Sequence, residues 1–500
     1  MLKSEEQSKK EYRTLQFRIN KEHELFEYCD QMCFNSKNLY NVGMFHLRQL
    51  MTGLKKDKAL VQNLEKEVIE KVKHYLPSLN EIKEREHEKK NKKRLQQGKK
   101  ELLFKPYVMP TEQHWFLDKN ILDGILKLEE NVDYRSLPAQ SSQGILTQLY
   151  EDWNSFFTLN KLYHENPTTL TGKPKIPKYA KKDGRKITII SNQDAVIYHK
   201  ETTYLKLPKT KLKYELSKAP IPKEGKLKQV RIVPSSNFYV LELIFQIPEI
   251  EVLTTKETSK NIIAIDLGVN NFATIVSNVG KEPIIIKGGV LKAKNQWYNK
   301  QRSRYYSQLR QGKQPKKGSF TSKRLQRLDV KRNAFMKDTF HKLSKKIVSY
   351  CLTNGIDTIV IGKNKGWKTD VTMRKKDKQT FIQIPFNLFV STLTYKANEQ
   401  GILVIETEES YTSKASFLDR DDIPTYGKEK EKTPVFSGIR TSRGMYTSFK
   451  YGKINADVNG AANILRKVFP QAFGTDRDSG VLKRPQSWSF KHLNKPLGVN

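Results

Sequence analysis

Cysteine is nearly missing from this 500-residue chain: Cys29, Cys33 and Cys351 are all there is, which excludes a disulfide framework. Cys29 and Cys33 stand at helical i, i+4 spacing with no His or Cys cluster near them, a pattern of packed thiols rather than of a zinc site. Long apolar runs are missing too. The longest, residues 238–247, is too short to cross a bilayer, and the charged start MLKSEEQSKK has no signal-peptide core. The expectation is an intracellular, cytoplasmic protein with no membrane partner. The third shortage is acid: 53 Asp+Glu stand against 91 Lys+Arg, a net charge of +38 and a pI near 9.8. That excess is spread along the whole chain, so the natural partner is a polyanion, and nucleic acid fits better than a lipid surface because no long basic amphipathic helix stands out. A hydrophobic content of 37% is lean but sufficient for several small cores, so the length predicts about two to four domains.

In chain order, residues 12–19 (YRTLQFRI) alternate like a strand, and residues 22–51 place apolar and aromatic side chains at helical spacing, which reads as two helices. Residues 83–100 are almost wholly Lys, Arg, Glu and Gln, a solvated helix or a mobile excursion. A second helical block at 137–163 carries Tyr150, Trp153, Phe156 and Phe157 on one stripe. It leads into GKPKIPKYAKKDGRK (172–186), whose turn formers and basic residues Lys173, Lys175, Lys178, Lys181, Lys182 and Arg185 suit a loop lying on phosphates. Short alternating runs from 187 to 247 predict a small antiparallel barrel or sheet, which the strand at 12–19, having no local partner, is expected to join. Residues 291–354 predict a long helical pair bearing Arg302, Arg304, Lys323, Arg324 and Arg327, with Trp297 and Tyr305 interleaved, as in grooves that track a nucleic-acid backbone and stack on bases. The strands DTIVIG (357–362) and ILVIE (402–406) flank a helix at 386–400, the alternation of an α/β domain with a mixed sheet. Between them, KNKGWK adds Lys363, Lys365 and Trp367 as contact candidates.

The chemistry is organised around residues 261–278, NIIAIDLGVNNFATIVSN. Here Asp266 interrupts an apolar strand, and a lone buried carboxylate is costly unless paired or bound to metal. Two readings stand side by side, a cap for the turn at Gly268 or a metal ligand. Asp457, opening the helix of NADVNGAANIL (455–465), is likewise either an N-cap or a ligand, and the small Gly460, Ala461 and Ala462 let that helix approach a strand closely. The strand 402–406 runs directly into Glu408 and Glu409. Two divalent ions about 3.5–4 Å apart need three or four carboxylates from separate elements, and Mg²⁺, which keeps most of its waters, is served by Asp and Glu alone.

With these motifs the chain resembles the RuvC-type RNase H nucleases of the TnpB kind, transposon-encoded RNA-guided DNA endonucleases related to Fanzor proteins and type V CRISPR effectors. IAIDLGVNNFATI looks like the first RuvC motif, NADVNGAANIL like the third, and FFTLNKLYHENPTTLTGKPKIPKY like the end of the family's recognition lobe. The resemblance implies an α/β RNase H-like (RuvC) nuclease domain plus an antiparallel β-barrel wedge domain interrupted by a helical recognition lobe. The bounds that follow are 1–21 and 186–250 for the wedge, 22–185 for the lobe, 251–260 for a linker, 261–409 and 455–475 for the nuclease, 410–454 for a degenerate target-nucleic-acid-binding insertion and 476–500 for a basic tail. It also implies a guide RNA and double-stranded target DNA as partners and two Mg²⁺ ions as cofactor; the oligomeric state stays open, with a monomer the favoured reading. Two departures stand out. The family's second acid usually closes a strand like DTIVIG, where this chain has Gly362, and the four zinc-binding Cys are missing, with Ser416 and Asp419 where the first pair would fall, so zinc is expected to be absent. Some relatives supply the second acid from just before a TSK tripeptide, which here nominates Glu409, with Glu408 the alternate. The expected catalytic and metal set is Asp266, Glu409 and Asp457. The competing readings are a nuclease-dead RNA-guided DNA-binding protein, such as a repressor, and a guide-independent nucleic-acid binder.

Overall fold

In EYRTLQFRI, period-two alternation turns Leu15, Phe17 and Ile19 inward and leaves Tyr12, Thr14, Gln16 and Arg18 to solvent, so the segment is a strand that needs a sheet on one side. A computed structural model of the protein describes residues 11–199, 201–248, 252, 254–363, 383–424, 434–474 and 480–490. The chain forms two compact units, Met1–Glu249 and Ile250–Asn500.

In the first unit, β1 (Glu11–Ile19) is followed by α1 (Phe26–Gly53), α2 (Asn63–Gln96), α3 (Lys119–Leu128), α4 (Val132–Arg135) and α5 (Ala139–Glu165). The strands β2 (Thr188–Ser191), β3 (Val196–His199), β4 (Thr203–Lys206), β5 (Lys213–Glu215), β6 (Lys226–Pro234) and β7 (Tyr239–Ile247) follow. β1 pairs antiparallel with β7 along its whole length, so the first strand of the chain closes against the last strand of its unit. The strands do not form a single barrel: they split into a four-stranded sheet, β1-β7-β6-β2, and a three-stranded sheet, β3-β4-β5. Between β5 and β6 the chain leaves one sheet for the other, where Pro220 and Pro222 interrupt the run; proline cannot donate to a ladder.

Residues 22–51 give one long helix, not two. It packs on α5 around Trp153, whose side chain is fully buried among Trp115, Phe116, Phe156 and Phe157. Cys29 and Cys33 are buried, and burial pushes both thiols up to about 12, as packed thiols require. The charged stretch from 83 continues α2 to Gln96, and an extended strap returns along it. Asn80 and Asn91 each clamp one strap residue, exchanging bonds of 2.7–3.1 Å with the backbone of Tyr107 and of Leu102.

In the second unit the strands β8 (Ile262–Leu267), β9 (Asn271–Ser277) and β10 (Ile284–Lys287) precede α6 (Gly289–Arg310) and α7 (Lys323–Thr353). Then come β11 (Thr358–Gly362), α8 (Phe386–Asn398), β12 (Leu403–Thr407), the hairpin strands β13 (Ile439–Ser442), β14 (Met445–Ser448) and β15 (Gly452–Asn455), α9 (Ala456–Val468) and β16 (Gln486–Trp488). The six-stranded sheet runs β12-β11-β8-β9-β10-β16. β8, β9 and β10 are antiparallel neighbours, whereas β11 lies parallel to β8 and β12 parallel to β11. Every residue of β11 is buried, as expected of a parallel strand covered on both faces. One face holds Ile263, Ile265, Phe340 and Phe389; the other holds Ile262, Ala264 and Val360 under Ile464 and Leu465 of α9. Part of the expected basic tail is not a tail: Gln486–Trp488 adds a strand parallel to β10, three residues being too short to show a period in the sequence.

Candidate active site

The two alternating faces of β8 place Ile262, Ala264 and Asp266 towards α9, so the acid of the strand emerges on that side at its carboxyl end. Ile361 pairs with Ile265 and Gly362 with Thr407, so the carboxyl ends of the three parallel neighbours β8, β11 and β12 lie level. Ligands of open α/β sheets bind outside such ends. The capping reading of Asp266 gives way, because backbone closes the turn through the Gly268 amide donating to the Phe272 carbonyl at 3.1 Å.

Asp457 reaches the same place from α9. The cap of that helix is Asn455, whose side chain accepts from the amides of Asp457 (3.0 Å) and Val458 (3.2 Å). Asn455 thereby takes the bonds that an N-cap Asp would have made, and the Asp457 carboxylate turns outward. It accepts from Asn271 Nδ2 at 2.6 Å and meets the Arg440 guanidinium at 3.4 Å. Gly460, one turn along, faces Asp266: a Cβ there would stand 3.0 Å from Asp266 Oδ2, so the small residue admits the carboxylate.

The third acid comes from beyond β12, whose last residue is Thr407. Glu408 turns aside to an ion pair with Lys467 and accepts from the Ser410 amide at 2.9 Å. Burial raises its pKa, but these hydrogen bonds outweigh burial and hold it below the ordinary value. Glu409 turns inward. A Cβ on Gly362 would stand 2.5 Å from Glu409 Oε1 and 2.8 Å from its Cγ, so the Glu409 carboxylate fills the space that a side chain at 362 would take. The turn that aims it is fixed from α9: Asn463 donates to the carbonyls of Thr412 and Ala415, and Asn459 to that of Ala415, at 2.7–2.9 Å.

Asp266, Glu409 and Asp457 are each half-buried, shielded yet within reach of a ligand. Burial first, and then the Asp457 charge, pushes Asp266 up to about 7, opposed by Arg440. Burial, then Asp266, then Glu408 push Glu409 well above its ordinary value. Among the described residues no three His, Cys, Asp or Glu side chains stand close enough to grip a metal as they are, and Asn271 and Arg440 already engage Asp457. The donor set nevertheless suits a hard divalent cation, being oxygen only and crowded enough to hold protons in its absence.

Beside the site, the described residues between 410 and 455 are held by side-chain and backbone hydrogen bonds. Ser416 Oγ donates to Asp419, which also accepts from the amides of Phe449 (2.9 Å) and Lys450 (3.0 Å). Asp421 accepts from the Ser416 amide at 2.7 Å and the Ser437 amide at 3.1 Å. Two carboxylates thus tie the loop to the β13-β14-β15 hairpins.

The basic candidates divide. Lys173, Lys175, Lys178, Lys181 and Lys182 are exposed on a loop tethered to α1: Lys37 donates to the Lys182 carbonyl at 3.0 Å, and Asn41 exchanges bonds of 3.1 and 2.8 Å with Ala180. Arg185 is occupied, making a two-pronged pair with Asp30 at 2.9 and 2.7 Å. Trp297, Arg302, Arg304, Lys323, Arg324 and Arg327 are exposed on α6 and α7, with Arg324 over the Tyr305 ring at 4.5 Å. Lys363 pairs with Glu406 at 2.8 Å, and Lys365 and Trp367 lie outside the described residues. The sequence reading missed Asn271, Arg440, Asn455, Asn459 and Asn463. For the last three a signal existed, since Asn recurs through NADVNGAAN at positions that bracket Asp457.

Residues 245–368 match the OrfB_IS605 family, described as a probable transposase, and residues 386–464 match the Cas12f1-like TNB domain. The chain is 24% identical over 366 residues to "TnpB-like protein ORF457" of Acidianus two-tailed virus, covering 67% of this chain and 74% of that protein. Among solved structures it is similar to a Cas12f1–sgRNA–target DNA complex (13% identity, 91% of this chain and 98% of that one, TM-score 0.44). It is also similar to the mini-RNA-guided endonuclease CRISPR-Cas_phi3 (10% identity, 96% and 93%, TM-score 0.39).

Proposed function

Because the chain belongs to the TnpB/OrfB_IS605 family and carries a Cas12f1-like TNB domain, we propose that it is an RNA-guided DNA endonuclease in which Asp266, Glu409 and Asp457 form the catalytic centre. The observation that carries this reading is the Glu409 carboxylate lying in the space vacated by a side chain at Gly362, beside Asp266 and under α9. The sheet order β10-β9-β8-β11-β12, three antiparallel strands followed by two parallel ones, is that of an RNase H-like fold and supports it. Two Mg²⁺ ions held by the three carboxylates would polarise the phosphodiester and activate water for its hydrolysis.

The chain's own residues prepare that step. Asn271 holds the Asp457 carboxylate and Asn455 caps the helix that presents it, Asn459 and Asn463 fix the turn bearing Glu409, and Lys467 draws Glu408 away so that one glutamate alone faces inward. Arg440 neutralises Asp457 and, released from it, is placed to meet a phosphate oxygen. The exposed lysines of 173–182 and the Arg-rich helices α6 and α7 supply the polyanion contacts for guide RNA and target DNA.

The electrostatics give a test independent of cleavage. A carboxyl whose pKa is raised on folding, from 3.8 to about 7 for Asp266, lets the native state hold protons that the unfolded chain releases. Its contribution to stability is therefore present at low pH and is lost as pH rises through that window. A cation binding the ionised pair reverses the loss. Mg²⁺ should raise the melting temperature more at about pH 8 than at about pH 5, and Asp266→Asn should remove the difference. An equal Mg²⁺ effect at both pH values, or one that survives Asp266→Asn, would detach the metal from these acids.

A further inference from the structure

We infer that the outer face of the three-stranded sheet β3-β4-β5 is a stacking platform for unpaired nucleobases, a site that rests on the nucleic-acid reading above but is separate from the acidic centre. Its register sets Tyr198 directly across from Tyr204, and the two rings stack with centroids 5.5 Å apart and planes 21° from parallel. Lys213 reaches over the Tyr204 ring at 4.5 Å from β5, the strand on the other side of β4. The order across the sheet is therefore cation, ring, ring, and Tyr198 stands last, on an edge strand. It is 36% exposed and its neighbour Val196 37%, while Leu205 is fully buried and Ile197 and Tyr214 pack into the core beneath. The rings thus stand on a packed floor, with Tyr198 partly exposed at the edge of the sheet.

Lys206, Lys211 and Lys213 are exposed around the platform. Paired tyrosines backed by one cation and ringed by others match the chemistry of single-stranded nucleic acid, whose bases stack on aromatic rings while cations track the phosphates. An acidic peptide would use the lysines but would leave the stacked rings unused.

The test uses the purified full-length chain and labelled oligouridine RNA, oligothymidine DNA and a duplex of the same length, each of about 12 nucleotides. Salt is kept near 0.3 M to suppress purely electrostatic binding. Tyr198→Ala should weaken single-strand binding by about 10-fold, the worth of roughly one stacked base. Tyr198→Phe should retain it, and duplex affinity should be unchanged in both. Loss confined to RNA would identify the guide as the source of the bases, and loss confined to DNA would identify a displaced DNA strand. Equal single-strand affinity of Tyr198→Ala and wild type, or displacement of the RNA by polyglutamate as readily as by unlabelled RNA, would overturn the platform. Failure of the wild-type chain to bind any of these probes would overturn the nucleic-acid reading as well.

Discussion

Glu409→Gln should abolish guided DNA cleavage, with a fall of at least about 100-fold, the upper end of what loss of a mere outer-sphere partner costs. Guided DNA binding should stay within about 2-fold of wild type, because the residue faces two other acids and not the basic surfaces. The amide keeps the shape of the carboxylate and removes only its charge. In metal-free protein that charge is a burden, since burial and the Asp266 charge both disfavour it, so the variant should melt no lower than wild type. Loss of activity with an undiminished melting temperature separates a ligand role from a packing role. Glu408→Gln is the internal control. It should keep cleavage within about 10-fold of wild type, because Glu408 faces Lys467 and acts only through the turn it anchors. If Glu408→Gln is the inactive one and Glu409→Gln cuts, the two side chains exchange roles.

The second large effect concerns the glycine. Gly362→Glu should be inactive and destabilised, because its Cβ would meet Glu409 Oε1 at 2.5 Å and Ile464 Cδ1 at 2.6 Å. Overpacking of this kind costs about 1–3 kcal/mol, and a further acid beside two that already resist ionisation adds to it. The same geometry predicts rescue. In Gly362→Glu combined with Glu409→Gly the contested space is emptied from one side and filled from the other, and the end of Ile464 can rotate aside. The double variant should cut at least about 10-fold faster than Glu409→Gly alone, a recovery of roughly 1.4 kcal/mol in activation free energy. A folded double variant as inactive as Glu409→Gly would mean that 362 and 409 do not serve one carboxylate position.

Much of the proposed centre was legible in the sequence because the acids that the fold brings together rest on local patterns. An acid inside an apolar strand marked Asp266, the small residues after Asp457 marked a close-packed helix, and the absent acid at Gly362 directed attention to the next strand end. Choosing Glu409 over Glu408 was harder: alternation along an extended chain separates them but does not say which turns inward. What decides is Lys467, some sixty residues away, and Asn459 and Asn463, which grip the following turn. Side chains recruited across such distances leave no periodic trace. The same limit hid Arg440 beside Asp457, the pairing that takes up Arg185 with Asp30, and the strand at 486–488. Of the barrel and the sheet that alternation allowed, the strands form sheets, and two of them: alternation predicts strands but not which of them pair, and a proline-containing connection precedes β6. Residues 83–100 were read as a solvated helix or a loose excursion because their composition is uniformly polar. The two asparagines that hold the returning strap are visible only once the helix exists.

The measurement that bears most directly on the account is cleavage of double-stranded DNA by the protein isolated with its own RNA. It would be run in Mg²⁺ and in chelator against a library randomised beside the matched sequence, with Asp266→Asn in parallel. The account predicts cuts confined to DNA that matches the RNA and carries one short flanking motif, dependent on Mg²⁺ and lost in Asp266→Asn while that variant still binds the same DNA. Matched DNA bound but left uncut by the wild-type protein in Mg²⁺ would contradict the catalytic centre and favour a guided binding protein, and cutting that ignores the RNA would contradict the guided mechanism itself.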